Sequence, residues 1–167
     1  KGWSLDKAAE KTGVSKAMLG QIERQESSPT IATLWKIASG FDTSFSSFIE
    51  KKKTTSIKTV IRPSDKHPIH PADKKFLVNP IFPYAEKTHC EIFIIELLPD
   101  CEHLSPPHQS GVIEHVIVAE GRVEVLVDTK WHVLSKGEGI QFHANQPHGY
   151  RNLTKQTTVI HDIIHYP

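Results

Sequence analysis

The apolar positions of the first fifty residues recur every three or four residues, whereas those of the last hundred alternate with polar residues or form short runs. The first spacing places apolar side chains on one face of a helix, and the second places them on one face of a strand. Glycine, proline and asparagine punctuate the runs. The pattern therefore predicts a small all-α unit at 1–50 and an all-β unit at 67–167, joined by a linker and first edge strand at 51–66.

Four short helices account for the spacing at 1–50. Ser4 can cap the first helix, and Gly13 ends it because glycine accepts the left-handed conformation of a tight turn. Ser15 begins the second helix, whose expected inward residues are Val14, Met18, Leu19 and Ile22. Thr30 begins the third helix, with an expected buried stripe of Ile31, Leu34, Ile37 and Ala38. A fourth short helix is expected at about 44–49.

Two helices joined by a glycine-containing turn are typical of a helix-turn-helix, whose second helix enters the DNA major groove. The outward residues suit this role, since Gln21 can form a bidentate pair with adenine and Ala17 allows close approach. Basic and hydroxyl side chains nearby can hold phosphates. The candidate DNA-binding residues are Ser15, Lys16, Ala17, Gln21, Arg24, Ser28 and Thr30. A helical bundle with a solvated polar face is the alternative interpretation.

The helical unit contains the stretch GVSKAMLGQIERQESSPTIATLWKIA at 13–38. Its Gly-Val-Ser turn, Leu-x-x-Ile-Glu-Arg core, Ser-Pro pair and Thr-Leu-x-x-Ile-Ala run resemble the Xre/Cro-type helix-turn-helix family, over about residues 2–50. The resemblance implies a double-stranded DNA operator and a dimer that binds it with two-fold symmetry. Such domains have five helices, so the resemblance also implies that the DNA-binding unit is N-terminally incomplete.

The two units differ in charge and in their stock of metal ligands. The chain has a net charge of +1. Residues 1–53 carry nine Lys or Arg and six Asp or Glu, a net of +3, whereas residues 54–167 carry eleven and thirteen, a net of −2. All eleven histidines lie at or after His67. This division indicates two modules with separate roles.

Cysteine content and hydropathy indicate the cellular compartment. Cys90 and Cys101 form no CxxC pair, which fits idle thiols in a reducing cytoplasm. The apolar runs are too short to span a membrane, and no leader with a charged start and an apolar core is visible. We therefore expect a cytoplasmic protein without a membrane partner.

Short apolar runs with turns between them, over about a hundred residues, predict one sandwich or barrel. In GRVEVLVD, Val123 and Val125 alternate with polar residues, so that strand should bury one face. In VIHDIIHY, His161 and His165 should share one face of a strand, with Asp162 on the other.

Two stretches, PPHQSGVIEHVIVAEG at 106–121 and KGEGIQFHANQPHGYRN at 136–152, resemble the two cupin motifs. The matching positions are His108, Glu114 and Gly121 in the first motif and Gly137, His148 and Asn152 in the second. The resemblance implies a double-stranded β-helix, or jelly-roll, barrel with His108, Glu114 and His148 as metal ligands. The sequence departs from the motifs at Ser110, where a second histidine is expected, at His143 in place of proline and at Asn145 in place of glycine.

Two imidazoles and a carboxylate with open positions suit tetrahedral zinc or the facial arrangement of non-haem iron. We expect one divalent ion, zinc first, with iron, nickel and manganese as alternatives. His143, His161 or Cys90 would be able to replace the ligand lost at Ser110. A metal-free cupin is the interpretation that Ser110 favours. The candidate effector-binding residues are Gln141, His143, Tyr150 and His161.

Xre-type domains fused to cupins form a family of bacterial regulators. This chain is most similar to members assigned to sulfur-utilisation control, in GVSKAMLGQIER, GVIEHV and the terminal IHYP. The resemblance implies a non-enzymatic transcriptional regulator whose barrel binds a small effector, such as an amino acid or a sulfur-containing metabolite. Two alternatives stay open. One is a metal-dependent dioxygenase or isomerase with a DNA-binding appendage, and the other is a metal-free dimerisation module.

Overall fold

The structure is a computed structural model that describes residues 1–48 and 74–167. The helical unit contains α1 (Leu5–Thr12), α2 (Lys16–Glu23), α3 (Ile31–Gly40) and a 3₁₀ turn (Phe45–Phe48). The strands are β1 (Phe76–Ala85), β2 (Cys90–Leu97), β3 (Cys101–Ser105), β4 (Ile113–Glu120), β5 (Arg122–Val127), β6 (Lys130–Ser135), β7 (Gly139–His143), β8 (His148–Asn152) and β9 (Thr158–His165). The linker and edge strand expected at 51–66 lie outside the described residues.

The helices begin where the sequence places their caps. The hydroxyls of Ser4, Ser15 and Thr30 each accept a hydrogen bond from the backbone amide three residues later. Gly13 ends α1 with a φ of +66°. The expected burial of Met18 is wrong, because its side chain is 38% exposed. Met18 lies about 100° around the helix axis from the buried Leu19 and so falls outside the side that packs on α1.

Two antiparallel sheets enclose the core of the β unit and confirm the predicted cupin fold. One sheet has the strand order β1-β2-β9-β4-β7, and the other has the order β3-β8-β5-β6. In β5, Val123 and Val125 are fully buried, as the alternation predicts. In β9, Ile160, Asp162 and Ile164 point inward, while the side chains between them are partly or fully exposed.

Two residues of the cupin motifs have structural roles. Gly121 joins β4 to β5 with a φ of +80°, and a Cβ there would lie 2.8 Å from the Thr158 hydroxyl. Asn152 is fully buried. Its amide nitrogen donates to the carbonyls of Leu97 (2.9 Å) and Gln156 (2.7 Å). Asn152 therefore ties the end of β8 to the end of β2.

The helical and β units share one apolar cluster. Ile31 and Trp35 of α3, with Phe45 of the 3₁₀ turn, pack into the same core as Phe76 and Phe93 of the barrel. The sequence did not predict this junction, because the periodicity of α3 was assigned to a single buried stripe that omitted Trp35. The barrel core thus continues into the DNA-binding unit.

A polar contact fixes the rim of this junction. The Glu91 carboxylate accepts a hydrogen bond from the Ser46 amide (3.0 Å) and another from the Tyr166 hydroxyl. The Ser46 hydroxyl in turn accepts one from the Tyr84 amide (3.0 Å). Burial raises the pKa of Glu91 above its usual value, although these donors oppose the shift. The ionised form of Glu91 therefore depends on these hydrogen-bond donors.

Removal of the Tyr166 hydroxyl should weaken the junction. In Tyr166→Phe the buried Glu91 loses a donor while the ring stays, so we expect the free energy of unfolding to fall by about 1–3 kcal/mol in urea denaturation. Tyr84→Phe is the matched control, because its ring lies 5.3 Å from that of Tyr166 and its hydroxyl makes no hydrogen bond with the described residues. Equal losses in the two variants would contradict the role assigned to Tyr166.

Candidate metal centre and DNA-binding face

The three ligands named from the cupin motifs converge in the barrel interior. Their candidate ligand atoms all lie within 4.8 Å of one another. The Nε2 atoms of His108 and His148 lie 3.9 and 3.5 Å from Oε2 of Glu114. All three side chains are buried. Among the described residues, they form the only such group of three.

Strand pairing explains why these distant residues meet. Glu114 lies on β4, between Ile164 of β9 and Phe142 of β7, and faces inward. His148 is the first residue of β8. His108 lies in the connection after β3, and its backbone amide donates to the Ala144 carbonyl (2.8 Å). This bond holds the connection against the turn that leads into β8.

Both imidazoles are held in the neutral form that metal ions require. Burial lowers the pKa of His148 to about 4 and the pKa of His108 well below its usual value. Nδ1 of His148 donates to the Gln146 carbonyl (2.9 Å), so the lone pair lies on Nε2, toward Glu114. Because both imidazoles are neutral, their short distances to Glu114 are not ion pairs. They are distances between candidate ligands of one metal ion.

A second carboxylate, Asp162, lines the same cavity and was not assigned a role from the sequence. Oε1 of Glu114 accepts a hydrogen bond from the Tyr150 hydroxyl, whereas Oε2 of Glu114 and Oδ1 of Asp162 have no hydrogen-bond partner among the described residues. Burial, together with the nearby Asp162 carboxyl group, raises the pKa of Glu114 well above its usual value, and burial raises the pKa of Asp162 to about 8, although its interaction with Glu114 opposes that shift. The sequence signal for Asp162 was an acidic residue in the otherwise apolar inward row of β9.

The donor set fits a divalent metal ion. Zinc binds nitrogen and oxygen at about 2.0–2.2 Å, which separates tetrahedral ligands by about 3.4 Å. The observed separations of 3.5 and 3.9 Å lie close to that value. Both ring nitrogens of His108 also have no hydrogen-bond partner in the described part of the chain. Buried atoms without partners are costly unless a ligand satisfies them.

Aromatic side chains of the helical unit roof this cavity, which has a volume of about 20 Å³. The rings of Trp35 and His108 lie 3.9 Å apart between centroids. Trp35 also stacks on Phe45 at 4.5 Å. This roof was not predicted from the sequence, because neither Trp35 nor Phe45 belongs to a cupin motif.

The four expected effector residues fall in three places, and only Tyr150 lies in the cavity. Gln141 and His143 line an outer groove with Ser110, and His161 is half-buried on the outward face of β9. These three lie outside the group of candidate metal ligands, because the inward residues of β7 and β9 are their sequence neighbours, and their role in effector binding stays a prediction. Replacement of the missing ligand by His143, His161 or Cys90 is wrong for the same reason, as Cys90 pairs with the exposed His165.

The candidate DNA-binding residues of α2 lie on its exposed side. Ser15, Lys16, Ala17, Gln21 and Arg24 are all exposed, with Met18 beside them. The Lys16 ammonium lies 2.8 Å from Asp6, and Arg24 pairs with Glu26 at 2.8 Å. Exposed pairs of this kind are weak and exchange readily for phosphate.

Two further candidates precede α3. Ser28 is exposed, while Thr30 is half-buried and caps the helix. The Thr30 hydroxyl accepts a hydrogen bond from the Thr33 amide (3.1 Å), so a phosphate contact by that side chain would compete with the cap. No helix among the described residues is long and apolar enough to cross a membrane.

Comparison with known proteins matches both units. Residues 1–48 match a helix-turn-helix family and residues 93–164 match a cupin domain family. The chain is 46% identical over 167 residues to the HTH-type transcriptional regulator SutR of Escherichia coli strain K12, covering 100% of this chain and 89% of that protein.

Solved structures agree with this assignment. An HTH_3 family transcriptional regulator from Vibrio cholerae is 48% identical, with a TM-score of 0.86 over 99% of this chain and 88% of its own. The Cupin_2 domain of an XRE family transcriptional regulator from Enterobacter cloacae is 38% identical, with a TM-score of 0.55 over 56% of this chain and 99% of its own. The chain therefore belongs to the family of Xre-type helix-turn-helix transcriptional regulators that carry a cupin domain.

Proposed function

We propose that the cupin barrel of this transcriptional regulator binds one divalent metal ion and a small effector, and that effector binding alters the affinity of α2 for DNA. The metal ligands are His108, Glu114 and His148, and zinc is the proposed ion, with iron, nickel and manganese as alternatives. The effector is proposed to be an amino acid or a sulfur-containing metabolite. The regulator works in the cytoplasm as a homodimer on a two-fold operator, without a catalytic activity of its own.

One observation carries the metal proposal: three buried donor groups lie within 4.8 Å of one another, and His108 and Glu114 have unpaired atoms there. The charge balance supports it. Two neutral imidazoles with the carboxylates of Glu114 and Asp162 would match the two positive charges of one divalent ion. Leaving such acids ionised and unpaired in an apolar interior would be costly.

Each residue around the ligands has a definable task. The Gln146 carbonyl orients the His148 ring and keeps its Nε2 unprotonated. The Tyr150 hydroxyl occupies Oε1 of Glu114, which leaves Oε2 for the ion. A bound zinc ion would supply a Lewis-acidic position that accepts a donor atom of the effector. Trp35 and Phe45 add apolar surface to the lining beside the ligands.

The DNA-binding proposal rests on the geometry of α2. Ser15 caps its N-terminus, and the exposed side chains of Gln21 and Arg24 follow on the side that leaves the helical core. A helix presented in this way can enter the major groove of B-DNA. Gln21 would then read a base, and Lys16 and Arg24 would hold phosphates.

Elemental analysis of the purified full chain tests the metal proposal. We expect about one divalent ion per chain, because three protein ligands form one site. His108→Ala and His148→Ala should each lower the content roughly tenfold or more, since loss of a ligand leaves too few donors. His132→Ala is the matched control, because His132 is exposed on β6.

Two results would count against the site, and a third against the non-enzymatic function. A metal-free wild-type chain would support the dimerisation module. Equal metal loss in His132→Ala would place the ion elsewhere. Turnover of oxygen by the metal-loaded chain would support the enzyme.

Selection of binding sites from random DNA, followed by titration, tests the groove assignment. Gln21→Ala should lose about 1–3 kcal/mol of discrimination at one base pair. Lys16→Ala should weaken binding to all sequences and lower the slope of log affinity against log salt by about 1. Lys130→Ala, on an exposed barrel lysine, is the control and should change neither. Equal loss on every sequence from Gln21→Ala would contradict base reading by that residue.

A further inference from the structure

Helix α3 packs into both units at once. Ile31 and Trp35 lie one turn apart on the side that joins the barrel core. Ile37 lies in the core of the helical unit with Leu19 of α2. A displacement of α3 away from the barrel would therefore carry α2 with it.

Trp35 is the residue of α3 that lines the cavity directly against His108. Its side chain is almost fully buried, and its ring lies directly against His108, one of the three proposed ligands. Phe45, which follows α3, stacks on the Trp35 ring and contacts Phe93 of the barrel. The roof of the proposed metal site is thus made by the DNA-binding unit, not by the cupin fold.

The cavity beside the candidate metal ligands has no room for an organic molecule. Its volume of about 20 Å³ compares with about 10–15 Å³ for one water molecule and several hundred Å³ for a typical ligand pocket. That volume is enough for about one water molecule. A larger effector can reach the ligands only if part of the lining moves, and Trp35 is the large side chain in direct contact with His108.

We infer that Trp35 is the movable roof of a composite effector site, and that the effector replaces its indole ring against His108 and so lifts α3 from the barrel. This inference rests on the proposed metal site. The barrel wall below the roof is apolar, with Phe76, Phe93 and Ile95, and the polar groups gather at the ligand cluster. The effector class is therefore a small molecule with one metal-binding donor group and a compact apolar or aromatic body.

The consequence for DNA follows from the shared helix. Because α2 and α3 both pack on α1 and share the core that contains Leu19 and Ile37, undocking of α3 changes how α2 is presented relative to the barrel. Coupling between two such sites has a typical strength of 5- to 150-fold in affinity.

The probe for this inference is 4-phenylimidazole, which joins a nitrogen donor to a flat apolar body. It is titrated into the full chain loaded with Co²⁺, whose visible spectrum reports ligand addition. In wild type we expect probe binding to raise amide hydrogen exchange across 31–48 and to change DNA affinity by roughly 5- to 150-fold. In Trp35→Ala the roof is already open, so the probe should bind at least about tenfold more tightly and change DNA affinity less than about twofold.

Trp131→Ala is the matched control, because its indole stacks under Arg151 (4.0 Å) on the outside of the barrel. It should behave as wild type. Trp35→Phe replaces Trp35→Ala if the alanine variant does not fold, with the same direction of change. In wild type the probe could change the cobalt spectrum without changing amide hydrogen exchange across 31–48. That result would contradict the inference about Trp35 but would leave the proposed metal site supported.

Failure of the metal site gives a different result. If the chain takes up no cobalt, the proposed metal site is contradicted. The role of Trp35 in docking α3 on the barrel is then tested in the metal-free protein. Trp35→Phe should still raise exchange across 31–48 more than Trp131→Phe, because it weakens the docking of α3 on the barrel. Equal exchange in these two variants would overturn the inference.

Discussion

The cost of burying ionisable groups governs this molecule. The barrel interior encloses two imidazoles and two carboxylates, and burial shifts all four toward their uncharged forms. The imidazoles can remain neutral at no further cost, whereas the carboxylates must hold protons or face a cation. An interior that keeps such groups is poorly explained by stability alone, since apolar side chains would fill it better. The same constraint explains why Gln146 and Tyr150 hydrogen-bond to the candidate ligands His148 and Glu114.

The second organising feature is a helix that serves two cores. Most contacts of a DNA-binding module lie within the module, but α3 gives Ile31 and Trp35 to the barrel and Ile37 to the helical unit. The polar contact between Ser46 and Glu91 reinforces this arrangement at the rim. Stability and position of the DNA-reading helix are therefore linked to the state of the barrel interior, because packed cores transmit displacement and do not absorb it.

The candidate ligands could be predicted from the sequence because each belongs to one of two short motifs. The strands could be predicted because apolar and polar residues alternate along a strand with a fixed period of two. Prediction from the sequence failed where the outcome depended on contacts between units. Trp35 lies outside the stripe expected for α3, and only docking on the barrel buries it. The outward positions of Gln141, His143 and His161 follow from the same alternation, since Phe142 and Asp162 mark the inward side of β7 and β9. Asp162 was placed on the correct face, but a lone acid in an apolar row was given no chemical role.

The departure at Ser110 changes meaning once the structure is considered. A fourth protein ligand would complete a tetrahedral zinc ion and leave it closed, as in structural sites. Ser110 instead lines the outer groove, away from the three ligands. A three-ligand set resembles the open sites in which zinc keeps one exchangeable partner. Loss of a histidine, which on sequence grounds favoured a barrel without metal, thus suits a site that must exchange one ligand in order to sense it.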